Sequence, residues 1–308
     1  MLKTVGEVLS HKKYGDHYHS LTIVTPEIGK RVKPGQFVNV LCGEDRSFLL
    51  RRPFSIYRVH KRGGWSSTIE IVFDIRGPGT TYLSALRTHS NLDLIGPSGR
   101  GFALPKRRAH CLLVGGGIGA APLFFLADEL RNEGHRVDVI LGARTSRYLL
   151  NAIEVRRLAS VYHITTDDGS MGEHGRVTDV LDDTIEKCGT EVVYTCGPHP
   201  MLAAVSKVCV ERRIPVQVAV EELMACGYGV CMTCVMPVRP RKRAHDDDEE
   251  FHYARSCTEG PVFNGASVVW DGEAELVATD QAELSPAGVP RRHPSPPETQ
   301  DELAPPGN

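Results

Sequence analysis

The chain has 308 residues, 41% of them hydrophobic, and a formal net charge of −2. That length can bury the cores of two domains, and the near balance of charge excludes an extended nucleic-acid surface or a strongly acidic partner. Residues 1–16 are polar and show no secretory leader. The nine cysteines, an odd number, do not form a dense disulfide scaffold, so the reading is a cytoplasmic protein with reduced thiols and no membrane anchor.

Residues 2–102 read as all-β. Segments 36–41 and 68–73 mix β-branched and aromatic residues with polar ones. Gly35, Gly43, Gly63-Gly64 and Gly96-Pro97 punctuate them. The expectation is a small antiparallel barrel with one short helix near 80–87. Two motifs fall in this half. Arg51-Arg52-Pro53-Phe54-Ser55-Ile56 sets a guanidinium, whose planar fork suits a diphosphate, near a serine that suits a flat ring, although a plain edge strand carrying proline explains it as well. Arg76-Gly77-Pro78-Gly79-Thr80-Thr81 opens a helix with glycines and a capping threonine. That is a ready anion site, or an ordinary capped helix.

From about 108 the texture alternates. Strands are expected at 110–114, 137–141, 161–165, 192–195 and 216–220, with helices at 121–133, 177–187 and 200–212, and this order means a parallel sheet. The first strand runs into Gly115-Gly116-Gly117-Ile118-Gly119-Ala120-Ala121-Pro122. The core of that run, Gly117-x-Gly119-x-x-Pro122, lets the chain turn tightly and lets a pyrophosphate approach a helix start, which favours nucleotide binding over a structural turn. A later strand ends in Cys196-Gly197-Pro198 at the sheet's carboxyl edge, where ligands of open α/β folds sit. Cys196 is therefore a candidate site residue, although a lone cysteine in such a setting is commonly core.

Beyond 221 the cysteines take over. Cys226, Cys231 and Cys234 read C-x4-C-x2-C, and Cys257 follows after a gap of 22 residues. This is the plant-type [2Fe–2S] spacing. Zinc is the competitor for four thiolates, but zinc sites usually pair ligands as C-x2-C twice. Here Gly227 and Gly229 can turn backbone N–H groups toward bridging sulfides. Cys42, Cys111, Cys188 and Cys209 read as packing. Residues 239–250 form a block of basic then acidic side chains, expected as a solvated loop. Residues 277–308, rich in proline and acids, are expected to be disordered.

In this order the motifs resemble the ferredoxin-NADP reductase superfamily and, more narrowly, the family of electron-transfer subunits of NAD-dependent class 1B dihydroorotate dehydrogenase. The narrow likeness rests on three stretches, 166–178, 221–234 and 257–270. The resemblance implies an α/β protein with a β-barrel: a ferredoxin-reductase-like FAD-binding barrel over 1–103, a parallel α/β NAD-binding domain over 104–220, and a [2Fe–2S] lobe over 221–276, followed by the tail. By position it implies that Arg52, Pro53, Phe54 and Ser55, with Gly79 and Thr80, hold the flavin nucleotide. Gly117 and Gly119 face NAD, Cys196 sits where nicotinamide meets flavin, and Cys226, Cys231, Cys234 and Cys257 hold the cluster. It further implies a partner, an FMN-binding catalytic dihydroorotate dehydrogenase subunit, in a heterotetramer of two of each chain. The close rival is a related reductase with the same cofactors serving a sulfide dehydrogenase, transhydrogenase or hydrogenase. The preference for NAD over NADP stays open, because no acid follows the second strand at Gly142-Ala143-Arg144, and Arg144 and Arg147 could meet a phosphate.

Overall fold

The computed structural model describes residues 1–15, 17–43, 48–62, 65–240 and 251–270. Residues 1–270 form one compact unit. Residues 241–250 of the charge block and the expected disordered tail lie outside the described residues.

The amino-terminal half is a barrel built from β1 (Leu2–Tyr14), β2 (Tyr18–Val24), the single turn α1 (Pro26–Gly29), β3 (Phe37–Val40), β4 (Arg52–Arg62), β5 (Trp65–Asp74), α2 (Pro78–Ala85) and β6 (Asn91–Ser98). The strands close in the order β1-β2-β5-β4-β3-β6, every pair antiparallel. The interior is filled by fully buried Leu21, Ile23, Ile56, Ile69, Ile71 and Leu94. Closure removes the sheet edges, so β4 is not the plain edge strand that Pro53 suggested. Pro53 is tolerated for a local reason. Residues 52–55 of β4 are in register with β3, whereas β5 joins β4 only from Ile56 onward. A residue without an N–H costs nothing on a side where no ladder bond is made.

The second half contributes β7 (His110–Gly116), α3 (Ala121–Asn132), β8 (Arg136–Ala143), α4 (Ala152–Leu158), β9 (Tyr162–Thr166), β10 (Glu173–His174), α5 (Val177–Cys188), β11 (Val192–Cys196), α6 (His199–Glu211) and β12 (Val216–Ala219). All five expected strands are present, and the expected helices start and stop within a few residues of their predicted ends. The sheet order is β10-β9-β8-β7-β11-β12, parallel throughout. β7, the first strand of this half, sits in its middle. The chain builds outward from β7 in one direction through β8 and β9 and returns on its other side at β11. The crevice beyond the carboxyl ends of β7 and β11 is thus a topological switch point, where such sheets bind ligands.

Barrel and sheet are packed together by α3. Phe124 meets Tyr57 of β4 at 5.1 Å between ring centroids, Phe125 enters the barrel core, and Arg58 reaches Glu154 at 2.6 Å and Asp128 at 3.4 Å. The cysteine segment adds β13 (Val235–Val238) and β14 (His252–Arg255), an antiparallel pair, and β15 (Val262–Asn264). β15 was not foreseen. It extends the large sheet antiparallel to β12, with Val218 opposite Phe263, and so fixes the cysteine segment to the sheet. Among the described residues no helix is long and apolar enough to cross a membrane.

Candidate functional site

Three features border the barrel. The first is a cleft of about 820 Å³ at the switch point, within the size range of cofactor sites. Gly117, Gly119, Arg144, Asp167, Arg176 and Pro198 line it, and Tyr18, Asp74 and Arg76 of the barrel form its other wall. The glycines are there for closeness. A Cβ on Gly119 would stand 2.6 Å from the Gly197 Cα, and Gly117 adopts φ +55. The turn therefore lies directly on the end of β11, and the start of α3 opens toward the cleft.

The acid missing after β8 comes from the next strand. β8 and β9 run in register with Ala143 beside Thr166. The Asp167 amide donates to the Ala143 carbonyl at 3.1 Å and the Asp168 amide to the Arg144 carbonyl at 3.2 Å. The loop after β9 therefore lies across the end of β8 and brings Asp167 into the cleft beside Arg144. Arg147 belongs to the short turn Ser146–Tyr148 and does not line the cleft. The adjacent acids Asp167-Asp168 were the visible signal, but only strand pairing makes them neighbours of β8.

Cys196 is the last residue of β11. Its thiol is buried in the core, and burial, then the Glu221 carboxylate, hold its pKa far above the usual thiol range. It stays a neutral thiol. The cleft wall at this point is made by Gly197 and Pro198, with the sulfur behind them.

The second feature is the barrel seam. Phe54 and Ile56 turn toward the barrel core, so Pro53 and Ser55 face outward on the same side as Tyr57. Residues 52–55 have no ladder partner on the β5 side, so their backbone there is open to a ligand. The two arginines divide their work. Arg51 is bound to Asp93, donating to its carbonyl and its carboxylate at 2.8 Å each. Arg52 is exposed, and its stem lies against the first turn of α2, 3.6 Å from where a Gly79 Cβ would be. The Thr80 hydroxyl accepts from the amides of Arg76 and Gly77 at 2.8 and 3.2 Å and so is committed to capping α2. The amides of Gly79 and Thr80, in the first turn, have no carbonyl a full turn back within the helix and remain suited to a diphosphate.

The third feature is the cysteine loop. Cys234 and Cys257 are buried against Phe37 of β3, whereas Cys226 is half-buried and Cys231 exposed. Cys226 lies near Cys231, and Cys257 near both Cys234 and Cys226. Four cysteines gathered in this one segment would hold a [2Fe–2S] cluster through four thiolates. The electrostatics agree. The Thr233 hydroxyl, donating to Sγ at 3.2 Å, brings Cys231 down to about 6. Burial, then Cys234 beside it, push Cys257 up to about 12, so a thiolate there requires a bound cation to balance it. The residues present therefore fit a [2Fe–2S] cluster.

The chain matches two family models: the iron-sulfur cluster binding domain of dihydroorotate dehydrogenase B over residues 221–269, and an oxidoreductase NAD-binding domain over residues 113–207. It is 37% identical to the electron transfer subunit of dihydroorotate dehydrogenase B (NAD(+)) of Desulforamulus reducens over 246 residues, which is 80% of this chain and 90% of that one. It is 37% identical to the subunit of the same name in Geobacillus thermodenitrificans over 265 residues, 85% of this chain and 96% of that one. The chain belongs to the family of dihydroorotate dehydrogenase B electron-transfer subunits. As a member of that family it is an oxidoreductase subunit. The solved structure of an NADH-dependent reduced ferredoxin-NADP oxidoreductase superposes with a TM-score of 0.72 at 26% identity, covering 92% of this chain and 96% of that one. A ferredoxin NADP+ reductase from Neisseria gonorrhoeae shares the fold, with a TM-score of 0.54 at 19% identity over 68% of this chain and 91% of that one.

Proposed function

We propose that this subunit receives electrons from an FMN-binding catalytic subunit that oxidises dihydroorotate, in pyrimidine biosynthesis in the cytoplasm, and delivers them to NAD+. The nicotinamide exchanges hydride and a [2Fe–2S] cluster single electrons, and bound FAD supplies the chemistry that joins the two. The observation that carries the reading is the placement of β3. It pairs with the seam of β4, Phe37 opposite Ser55, and its Phe37 packs on Cys234 and Cys257. One strand therefore separates the proposed flavin seat from the proposed cluster seat, with the dinucleotide cleft opening beside the same barrel.

The chain's residues take these parts. Arg52, with the Gly79 and Thr80 amides, holds the FAD diphosphate, while Pro53, Phe54 and Ser55 shape the seam for its ring. Gly117 and Gly119 bring backbone amides to the NAD pyrophosphate. Cys196 closes the wall behind the nicotinamide as an uncharged filler. The four cysteines hold the cluster, within functional regions bounded at 1–103, 104–220 and 221–276. The docking face is the cluster loop, where Leu223, Tyr228, Val230 and Met232 are all at least half exposed around Cys231. That is an apolar surface of the kind partners cover, here in a heterotetramer of two chains of each kind.

The test is purification without oxygen alongside the candidate catalytic barrel. The expected preparation is coloured, with flavin, iron and sulfide, and reduces NAD+ when given dihydroorotate. A chain that holds both cofactors and oxidises NADH, yet is inert toward every dihydroorotate-oxidising partner, would transfer the reading to a reductase serving another partner. Asp167 sets the choice of dinucleotide: its carboxylate suits a ribose 2′-hydroxyl and repels a 2′-phosphate, and Arg144 beside it is ready to receive that phosphate once the acid is gone. Asp167→Ala should therefore raise the NADPH-to-NADH ratio of kcat/KM on the order of tenfold, as expected for removing one like charge near a phosphate. An unchanged ratio would remove Asp167 from this role.

A further inference from the structure

The cluster loop carries two hydrogen bonds that the cysteine motif does not explain. The Tyr228 and Val230 amides both donate to Cys226 Sγ, at 3.5 and 3.4 Å. Each amide belongs to a peptide plane whose carbonyl is held from outside the loop. The Gly227 carbonyl, in the plane of the Tyr228 amide, accepts from Asn39 Nδ2 of β3 at 3.4 Å. The Gly229 carbonyl, in the plane of the Val230 amide, accepts from Arg255 Nη1 of β14 at 3.1 Å. A trans peptide is rigid, with its N–H and C=O pointing oppositely. A donor that fixes the carbonyl outward therefore aims the amide inward at sulfur. Gly227 and Gly229 take φ +74 and +89, which allows both planes to turn this way.

Both anchors are themselves fixed. Asn39 is buried, its Nδ2 also donating to Ser98 Oγ at 3.3 Å, and a Cβ on Gly227 would collide with its side chain. Arg255 is held by Glu259, whose carboxylate accepts from both its Nε and its backbone amide, at 3.0 and 2.9 Å.

We propose that Asn39 and Arg255 are positioning residues for the cluster: by holding the Gly227 and Gly229 carbonyls they aim two N–H groups at the Cys226 sulfur and set the cluster's reduction potential. Hydrogen bonds to ligand sulfur stabilise the reduced, more negative state and raise the potential. Asn39 lies on the strand that also pairs with the flavin seam, so the device links the barrel to the loop. The proposal rests on the assignment of Cys226, Cys231, Cys234 and Cys257 as ligands.

The experiment uses the full chain in its complex, with Asn39→Leu, Arg255→Met and Arg255→Lys. The readouts are iron, sulfide and flavin content, the electron paramagnetic resonance signal of the reduced cluster, and its reduced-to-oxidised ratio at a series of fixed potentials. In Asn39→Leu and Arg255→Met, iron and flavin should stay at the wild-type level while that ratio falls about tenfold at a fixed potential, equal to about 59 mV for a one-electron couple. Arg255→Lys, which keeps a cationic donor, should recover part of the loss. NADH-driven reduction of ferricyanide, which needs only the flavin, should be unchanged. Wild-type ratios in both loss variants with the cluster intact would overturn the proposal. So would loss of the cluster from both while flavin remains, because the two residues would then be general props of the loop. Wild-type protein without iron would instead refute the cysteine assignment.

Discussion

Cys257→Ser should yield a yellow protein without iron: flavin retained, iron and labile sulfide at background, and dihydroorotate-dependent NAD+ reduction lost. The expectation follows from where Cys257 sits. It is fully buried against Phe37 and pairs with Cys234, at the far end of the 22-residue gap from the other three cysteines. An alcohol is a poor ligand for iron beside thiolates, and a half-assembled site cannot hold a four-thiolate cluster. The barrel seam does not include Cys257, so NADH oxidation with ferricyanide should persist near the wild-type rate. Loss of flavin and of NADH oxidation together would show that the cysteine segment is needed to build the barrel, and would count against separate seats for the two cofactors. Wild-type iron content in this variant would remove Cys257 from the ligand set.

Gly119→Ala should have the second largest effect, on the other side of the molecule. The added Cβ would stand 2.6 Å from the Gly197 Cα and 2.9 Å from its nitrogen, both backbone atoms that cannot swing away. Either the turn after β7 or the end of β11 must shift, and overpacking of this kind costs about 1–3 kcal/mol. The same shift carries the pyrophosphate-facing amides off their positions. A misplacement near 1 Å is worth on the order of a hundredfold in rate, so kcat/KM for NADH should fall by roughly that factor while flavin, iron and the electron paramagnetic resonance signal stay unchanged. A variant with wild-type NADH kinetics would show that the turn does not touch the dinucleotide.

Much of this molecule could be read along the chain because the information was local. The strand–turn–helix around Gly117 and Gly119 is a contiguous run whose glycines announce a close approach. The C-x4-C-x2-C spacing fixes the reach of three ligands within nine residues. Alternation of apolar strands with helices implied the parallel sheet, because a parallel pair needs a crossover. Other features were not legible, since they depend on partners remote in sequence. Of two adjacent arginines, only the fold shows that Arg51 is tied to Asp93, while Arg52 is exposed and its guanidinium donates, among the described residues, only to the Leu50 carbonyl. The acid at the second strand was sought in the right place in space but the wrong place in the chain, because Asp167 reaches β8 through the pairing of β9. Cys196 carried a sequence signal for the cleft, yet its sulfur lies in the core behind the wall.

The linear order of residues determined which groups this protein has to offer: thiols suited to iron, glycine turns suited to phosphates, an arginine beside a barrel strand. Their mutual placement came from the packed chain alone. β3 separates seam from cluster loop by pairing with β4, Phe37 opposite Ser55, and Asn39 meets Gly227 across 188 positions. Contacts of that span leave no periodicity or spacing in the sequence, because they are chosen by burial and hydrogen-bond satisfaction once the barrel has closed and β15 has joined the sheet.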